Sequence, residues 1–164
     1  MESQDEIWMR HALTEAHLAL KKGEVPVGAV VVFENKIIGR GHNQVEGLND
    51  PTAHAEIIAI GAASNYLNSW RLSGASLYVT LEPCAMCAGA LVLGRIDRLI
   101  FGSKDPKAGA CGSLYNIVQD IRLNHQLEII PYIMEKECSQ ILQVFFEKVR
   151  QKNLERKDKD GNIK

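Results

Sequence analysis

Four side chains in two short segments have the types and spacing for metal-assisted proton chemistry. Cys84 and Cys87 lie three residues apart in "LEPCAMCAGA", and His54 and Glu56 lie two apart in "PTAHAE". Alone, a C-x-x-C pair is equally a thioredoxin-like redox motif or half of a structural zinc site, and an H-x-E triplet arises by chance. The order of the two segments, about thirty residues apart, favours a single reaction centre.

Zinc is the metal that this set of side chains predicts, because it accepts thiolate sulfur and imidazole nitrogen in a tetrahedron. Cys84 and Cys87 on one helical turn present both sulfurs to one side of the ion, and His54 is the predicted third ligand. Three protein ligands leave one position open, which is typical of catalytic zinc. Two thiolates weaken the acidification of water, so Glu56 is predicted to accept the proton of the attacking water and return it to the product.

The composition describes one domain with little general affinity for nucleic acid. The 164 residues are 46% hydrophobic and 24% charged, which predicts a single domain over 1–164. A net charge of −1 argues against a sequence-independent nucleic-acid binder, so that any RNA contact must be local. Cationic residues concentrate at the end of the chain, and about 151–164 is predicted to be a flexible basic tail.

The predicted location is cytoplasmic, without membrane association. The N-terminal "MESQDEIWMRHAL" has acids where a signal peptide has bases. No apolar stretch approaches the roughly 18 residues needed to cross a bilayer. In a reducing compartment the four cysteines are expected to be metal ligands, catalysts or core residues rather than disulfides.

The predicted elements alternate between strands and helices. A helix is expected over 5–22, a hairpin over 25–33 and 37–41, and a second helix capped by Asp50 with Pro51 as its first residue. A strand over 75–81 leads to a helix opened by Pro83, two strands follow in "RLIFGS" and "LEIIPYI", and a last helix runs from near Glu135 to about 152. This order predicts a layered α/β domain of about five strands, with the metal-binding segments at helix N-termini beside neighbouring strand ends.

The motifs together resemble a known family. "HAE" followed by "PCAMC" is the signature of zinc-dependent nucleobase deaminases. "VPVGAV", "TLEPC" and "FGSKDPKAGACGSL" narrow the similarity, over roughly 8–150, to the bacterial tRNA-specific adenosine deaminases of the cytidine-deaminase-like superfamily. Pro106 and Cys111 depart from the small residues expected there, and Cys111 is a conceivable fourth thiolate.

The resemblance implies a fold, a reaction and a set of substrate contacts. The fold would be a three-layer α/β/α sandwich with a mixed sheet, in a homodimer with one Zn²⁺ per subunit. The reaction would be hydrolytic deamination of adenosine to inosine at the wobble position of a tRNA anticodon loop. His54, Cys84 and Cys87 match the zinc ligands and Glu56 the proton shuttle. The positions that match substrate contacts are Asn43, Ala55, Asp105, Lys107, Phe145 and Arg150.

Two other functions remain open from the sequence. A guanine or cytidine deaminase acting on free bases or nucleosides shares the same two motifs. A zinc-stabilised RNA-binding module without catalysis would leave Glu56 as a solvated helix residue. Of the remaining candidates, Glu82 is expected to hold the ligand loop through backbone N–H groups, and Cys138 to be a buried core residue.

Overall fold

A computed structural model describes residues 1–161 of the chain. Ten helices and strands follow one another in a largely alternating order, with a short 3-10 turn at Ile117–Gln119 between the last two strands. They are α1 (Gln4–Lys21), β1 (Gly28–Phe33), β2 (Lys36–His42), α2 (Val45–Leu48), α3 (Ala55–Leu67), β3 (Ser76–Leu81), α4 (Ala85–Leu93), β4 (Arg98–Ser103), β5 (Glu128–Ile130) and α5 (Glu135–Gly161).

The five strands form one mixed sheet in the order β2-β1-β3-β4-β5. β1 is antiparallel to both of its neighbours, whereas β3, β4 and β5 pair in parallel. β2 therefore runs in the same direction as β3, and the carboxyl ends of β2, β3 and β4 meet at one edge of the sheet. The segments predicted to bind a metal follow β2 and β3. The sequence predicted that these two strands would be neighbours, but β1 lies between them.

Two hydrophobic cores cover the two faces of the sheet and confirm the predicted three-layer sandwich. Alternate residues of β1 point to opposite faces, as strand geometry requires. Ala29 and Val31 belong to the core formed with α3 and α4. Val30 and Val32 belong to the core formed with α1 and α5. Cys138 of α5 is fully buried in the second core, as expected.

Two glycines of β2 bring α3 close to the sheet and so place the beginning of that helix. A Cβ atom at Gly41 would lie 2.2 Å from the carbonyl oxygen of Ala55, and one at Gly39 would lie 2.3 Å from that of Ala59. No other residue type fits between this strand and this helix. The first turn of α3, which carries Glu56, is thereby held directly above the sheet edge.

The predicted start of the second helix is wrong. α3 begins at Ala55 and its N-cap is His54, whereas Asp50 and Pro51 precede it in a turn. The Asp50 carboxylate accepts hydrogen bonds from the Thr52 N–H at 2.8 Å and hydroxyl at 2.7 Å. Aspartate forms such local turns in competition with a helix, which explains why the helix starts later.

The last helix is longer than predicted. α5 begins at Glu135, as expected, but continues past 152 to Gly161, and every residue from 146 to 161 is exposed. Most of the predicted basic tail is therefore an exposed helical extension, and its final part, 162–164, lies outside the described residues. β1 and β5 are shorter than predicted, and α2 was not predicted. None of the helices within 1–161 has the length and apolar character needed to cross a membrane.

Candidate active site

His54, Cys84 and Cys87 converge at the edge where β2, β3 and β4 end. Nδ1 of His54 lies 3.6 Å from Sγ of Cys84 and 3.6 Å from Sγ of Cys87. Within 1–161 this is the one group of three or more metal-binding side chains whose donor atoms lie within 4.8 Å of one another. The fold thus brings together the three predicted ligands from segments thirty residues apart.

The backbone presents these donors in the same way at both helix starts. His54 is the N-cap of α3 and Cys84 the N-cap of α4, each in extended conformation. Neither side chain caps its own helix, so each donor atom is free to face the other segment. Cys87 lies one turn into α4 and is fully buried.

The distances fit a zinc ion. Tetrahedral zinc, with Zn–S bonds of about 2.3 Å and Zn–N bonds of about 2.0–2.1 Å, separates sulfur from nitrogen by about 3.6 Å. Both measured separations have that value. Cys111 is not in the group; its sulfur is 3.9 Å from the carbonyl oxygen of Pro83, and burial raises the pKa of its thiol.

The two cysteines shift each other's pKa in opposite directions. The pKa of Cys84 is lowered to about 3 because the Cys87 thiol donates a hydrogen bond to its sulfur, with a further contribution from His54. The same bond raises the pKa of Cys87. A divalent cation bound by both sulfurs would displace the proton of Cys87 and leave two thiolates.

Glu56 is a buried carboxyl group beside this cluster. It lies in the first turn of α3 with 4% of its surface exposed. Burial raises the pKa of Glu56 to about 7, because the charged form loses its hydration. A carboxyl group in that range can both accept and release a proton at neutral pH, as general acid-base chemistry requires. Its burial argues against a merely solvated helix residue.

A cavity of about 340 Å³ opens above the cluster, within the size range of small-ligand sites. Seven of the predicted site residues line it: Asn43, His54, Ala55, Glu56, Cys84, Asp105 and Phe145. Lys107 and Arg150 are exposed and do not line it, and Cys87 lies beneath it. Arg150 follows Phe145 by five residues, which is about 500° of helical rotation, or about 140° beyond one full turn. Arg150 is therefore on the other side of α5.

Asn43 has a fixed orientation at the end of β2. Its side-chain amide donates to the carbonyl oxygen of Val25 at 3.2 Å, and its Oδ1 accepts from the N–H of Val45 at 3.4 Å. An asparagine amide can form up to four hydrogen bonds, so capacity remains for a ligand. Asn43 is thus a polar group held in the cavity wall.

Glu24 is a wall residue that sequence reasoning missed. Its buried carboxylate accepts hydrogen bonds from the N–H groups of Glu46 at 3.2 Å and Gly47 at 2.6 Å. It therefore ties the short helix α2 to the cavity. The feature of the sequence that could have identified Glu24 is its position as an acidic residue directly before the apolar run "VPVGAVVVF".

Glu82 holds the loop that carries Asp105, rather than the ligand loop as predicted. Its buried Oε1 accepts from the N–H of Asp105 at 3.1 Å and the hydroxyl of Ser113 at 2.5 Å. Its Oε2 accepts from the N–H groups of Cys111 and Ser113, both at 3.1 Å. Four hydrogen bonds to one carboxylate fix both ends of the segment 105–113.

We expect Glu82→Gln to lower stability, because an amide nitrogen cannot accept the bonds made by one of the two oxygens. A buried donor without a partner costs about 1–3 kcal/mol, which corresponds to a fall in Tm of about 2–12 °C for a chain of this size. Thermal unfolding measures the shift. Glu147→Gln, on the exposed part of α5, is the control, and equal Tm values for the two variants would contradict the role assigned to Glu82.

Comparison with known proteins agrees with this geometry. Residues 3–150 match the family described as MafB19-like deaminase. The tRNA-specific adenosine deaminase of Bacillus subtilis (strain 168) is 49% identical over 150 residues, 92% of this chain and 93% of the relative. That of Aquifex aeolicus (strain VF5) is 50% identical over 145 residues, 88% of this chain and 95% of the relative.

Solved structures give the same result. A structure from a study of A-to-I editing by deaminases at the wobble position of transfer RNA superposes with a TM-score of 0.80 and 44% identity, over 83% of this chain and 99% of that chain. Guanine deaminase from Bacillus subtilis superposes less completely, with a TM-score of 0.60 and 36% identity over 69% of this chain and 71% of that chain. The chain belongs to the family of tRNA-specific adenosine deaminases.

Proposed function

We propose that this deaminase converts adenosine to inosine at the wobble position of a tRNA anticodon loop, with one zinc ion per subunit. The observation that carries the proposal is the buried carboxyl group of Glu56 next to the His54, Cys84 and Cys87 cluster at the base of a cavity. A hydrolytic deaminase needs these two components in contact with one base.

The residues of the chain account for the proton transfers. A zinc ion held by His54, Cys84 and Cys87 would supply Lewis-acid activation of the attacking water. Glu56 accepts a proton from that water as it adds to C6 of the adenine ring, and donates it to the ring nitrogen. A second transfer through Glu56 protonates the departing amine, so that adenosine and water give inosine and ammonia without net consumption of a proton.

The cavity wall supports recognition of a single extruded base. Asn43 and the backbone N–H of Ala55 are the polar groups proposed to orient the purine, while Val27 and Leu81 provide apolar contact. A base in an unpaired loop is extruded at low cost, which favours an anticodon loop over a duplex. Asp105 in the wall and Lys107 beside it are proposed to follow the RNA next to the target nucleotide, and Arg150 to contact it from outside the cavity.

The outer surface of α4 supports the proposal of a homodimer. Met86 and Leu93 are exposed, and Gly89 and Ala90 between them are half-buried. An uncovered apolar face beside the metal ligands is suited to pairing with a second copy. We further propose a cytoplasmic location, on the basis of the proposed tRNA substrate.

Mass spectrometry tests the proposed reaction. The zinc-loaded protein is incubated with a tRNA that carries a wobble adenosine, and digested nucleosides are analysed for inosine. The same tRNA with guanosine at that position is the control. Free guanine, cytidine and adenosine are tested in parallel. Ammonia release from a free base or nucleoside without inosine in the tRNA would favour the small-molecule deaminases instead.

We expect Phe145→Ala to weaken the use of RNA, because Phe145 is the aromatic side chain of α5 in the cavity wall. Base stacking on an aromatic ring is worth about 1–3 kcal/mol, or a rise in KM of roughly 5- to 150-fold. Phe146→Ala is a matched control, since Phe146 packs edge-on against Phe145 at 5.2 Å but does not line the cavity. Equal effects of the two substitutions on KM would refute a stacking role.

A further inference from the structure

The extension of α5 beyond the cavity has a cationic side, and that side is continuous with the one that faces the active site. α5 packs on α1, β3 and β4 through its first half, where Cys138 and Ile141 are buried and Phe145 reaches the cavity. With about 100° per residue, Lys148, Lys152, Arg156 and Lys159 all lie within about 60° of Phe145. We call these four residues the α5 cationic face.

The charges are unevenly distributed around this helix. Asp160 is the one carboxylate within about 60° of the direction of Phe145 in the extension, and Glu155 lies at the border. Glu147 and Asp158 are on the far side. Within the described residues, no carboxylate lies within the 4.0 Å of an ion pair with any of the four cations. Four cations and one carboxylate therefore leave this face with a net positive charge.

Like charges adjoin one another along the cationic face. Lys148, Lys152 and Arg156 follow one another at four-residue intervals, and like charges at this spacing repel each other. All residues of the extension are exposed, so no tertiary packing compensates for the repulsion. Glu155 and Asp160 are close enough in the helix to offset part of this repulsion. An external polyanion would offset the rest.

We propose that the α5 cationic face binds the phosphate backbone of the RNA whose extruded base enters the cavity. The inference rests on the proposed function and extends it to residues beyond 150, where the match to the deaminase family ends. Two features select RNA as the partner. The net charge of the chain is −1, so the positive side of α5 is a local feature, and it starts next to Phe145 at the cavity. From Lys148 to Lys159 it spans about 17 Å.

The experiment compares two double variants with the same change in net charge. Lys152→Gln with Arg156→Gln removes two cations from the proposed face. Lys136→Gln with Lys157→Gln removes two exposed cations from other sides of α5. Binding of a labelled tRNA with a wobble adenosine is measured by fluorescence anisotropy at several salt concentrations, together with KM and kcat for inosine formation.

Removal of the two cations should reduce the slope of log Kd against log salt by about 1.4–1.8, or roughly 0.7–0.9 for each phosphate that the protein no longer neutralises. KM should rise with Kd while kcat stays unchanged, because the cations do not touch the reacting base. The control pair should retain the slope of the unsubstituted protein.

Three results would overturn the proposal. The first is an unchanged salt slope in the variant with Lys152→Gln and Arg156→Gln, and the second is an equal change of the slope in both double variants. The third is that this variant loses binding to phosphatidylserine vesicles while its RNA binding is unchanged. The binding arm is independent of catalysis. If the unsubstituted protein forms no inosine, the proposed function fails, while the salt slope still tests the cationic face.

Discussion

Replacement of Glu56 by glutamine is expected to lower kcat for inosine formation by about 10²–10⁴-fold, the range of a general acid-base group. The amide keeps the size of the carboxyl group but can neither accept the proton of water nor pass it to the purine. Because Glu56 is not one of the three clustered donors, zinc content should remain at one ion per subunit. Stopped-time assays with nucleoside analysis give kcat, and elemental analysis gives the zinc content.

Glu34→Gln is a suitable control for this substitution, since Glu34 is exposed in the hairpin between β1 and β2, away from the active-site edge. Two outcomes would contradict the assignment. Retention of turnover in Glu56→Gln would remove Glu56 as the proton carrier. Loss of zinc would instead make it a residue that maintains the metal site. If RNA binding is the only activity of the unsubstituted protein, the non-catalytic module becomes the better description.

Replacement of Cys87 by alanine is expected to abolish deamination and to release zinc. The cluster would lose one of two sulfurs, and Cys111 is not placed to replace it, because its sulfur lies against the carbonyl oxygen of Pro83 and outside the group of clustered donors. Loss of a group that only hydrogen-bonds to a metal ligand lowers metal affinity by about 10–100-fold. Loss of a direct ligand should therefore lower the affinity by more than that. Competition with a chromophoric chelator measures the affinity.

Cys138→Ala provides the matched control, because Cys138 is equally buried but lies in the core on the other face of the sheet. It should keep zinc and activity. The cysteine at 87 does not hold the fold together alone, since the chain has two hydrophobic cores. Cys87→Ala should therefore remain folded without metal. Stoichiometric zinc in Cys87→Ala would show that the cluster has been assigned wrongly.

Local patterns in the sequence were sufficient to predict most of the elements and a candidate metal site. A run rich in β-branched residues predicted β1, short apolar segments predicted β3 and β4, and helical spacing predicted α1. A C-x-x-C pair brings two sulfurs onto one turn whatever the rest of the fold. The start of α3 could not be obtained in this way, because Asp50 and Pro51 suit a turn as well as a helix cap, and the choice depends on how closely Gly39 and Gly41 let the helix approach β2.

The cavity wall depended on contacts between distant segments. Phe145 joins it from α5, about ninety positions after His54. Glu82 was expected to support the ligand loop, yet its carboxylate binds the segment 105–113. Glu24 gave too weak a signal to be noticed. Each of these roles is decided by which groups become buried together, and a buried carboxylate takes whichever N–H donors the packing brings to it.

The linear order of residues was therefore enough to predict the chemistry of this deaminase: two cysteines, a histidine and a glutamate have the types and short spacings of a metal site with a proton carrier. The tertiary structure decided where that chemistry takes place and what surrounds it. It brought Nδ1 of His54 to 3.6 Å from the sulfurs of Cys84 and Cys87, across an intervening strand, and it enclosed Glu56. It also placed Arg150 on the side of α5 away from the cavity, while Lys148, Lys152 and Arg156 lie on the same side of the helix as Phe145. The reason is physical: bonds within one turn depend on local geometry, whereas distances between remote segments depend on how the whole sheet and its helices pack.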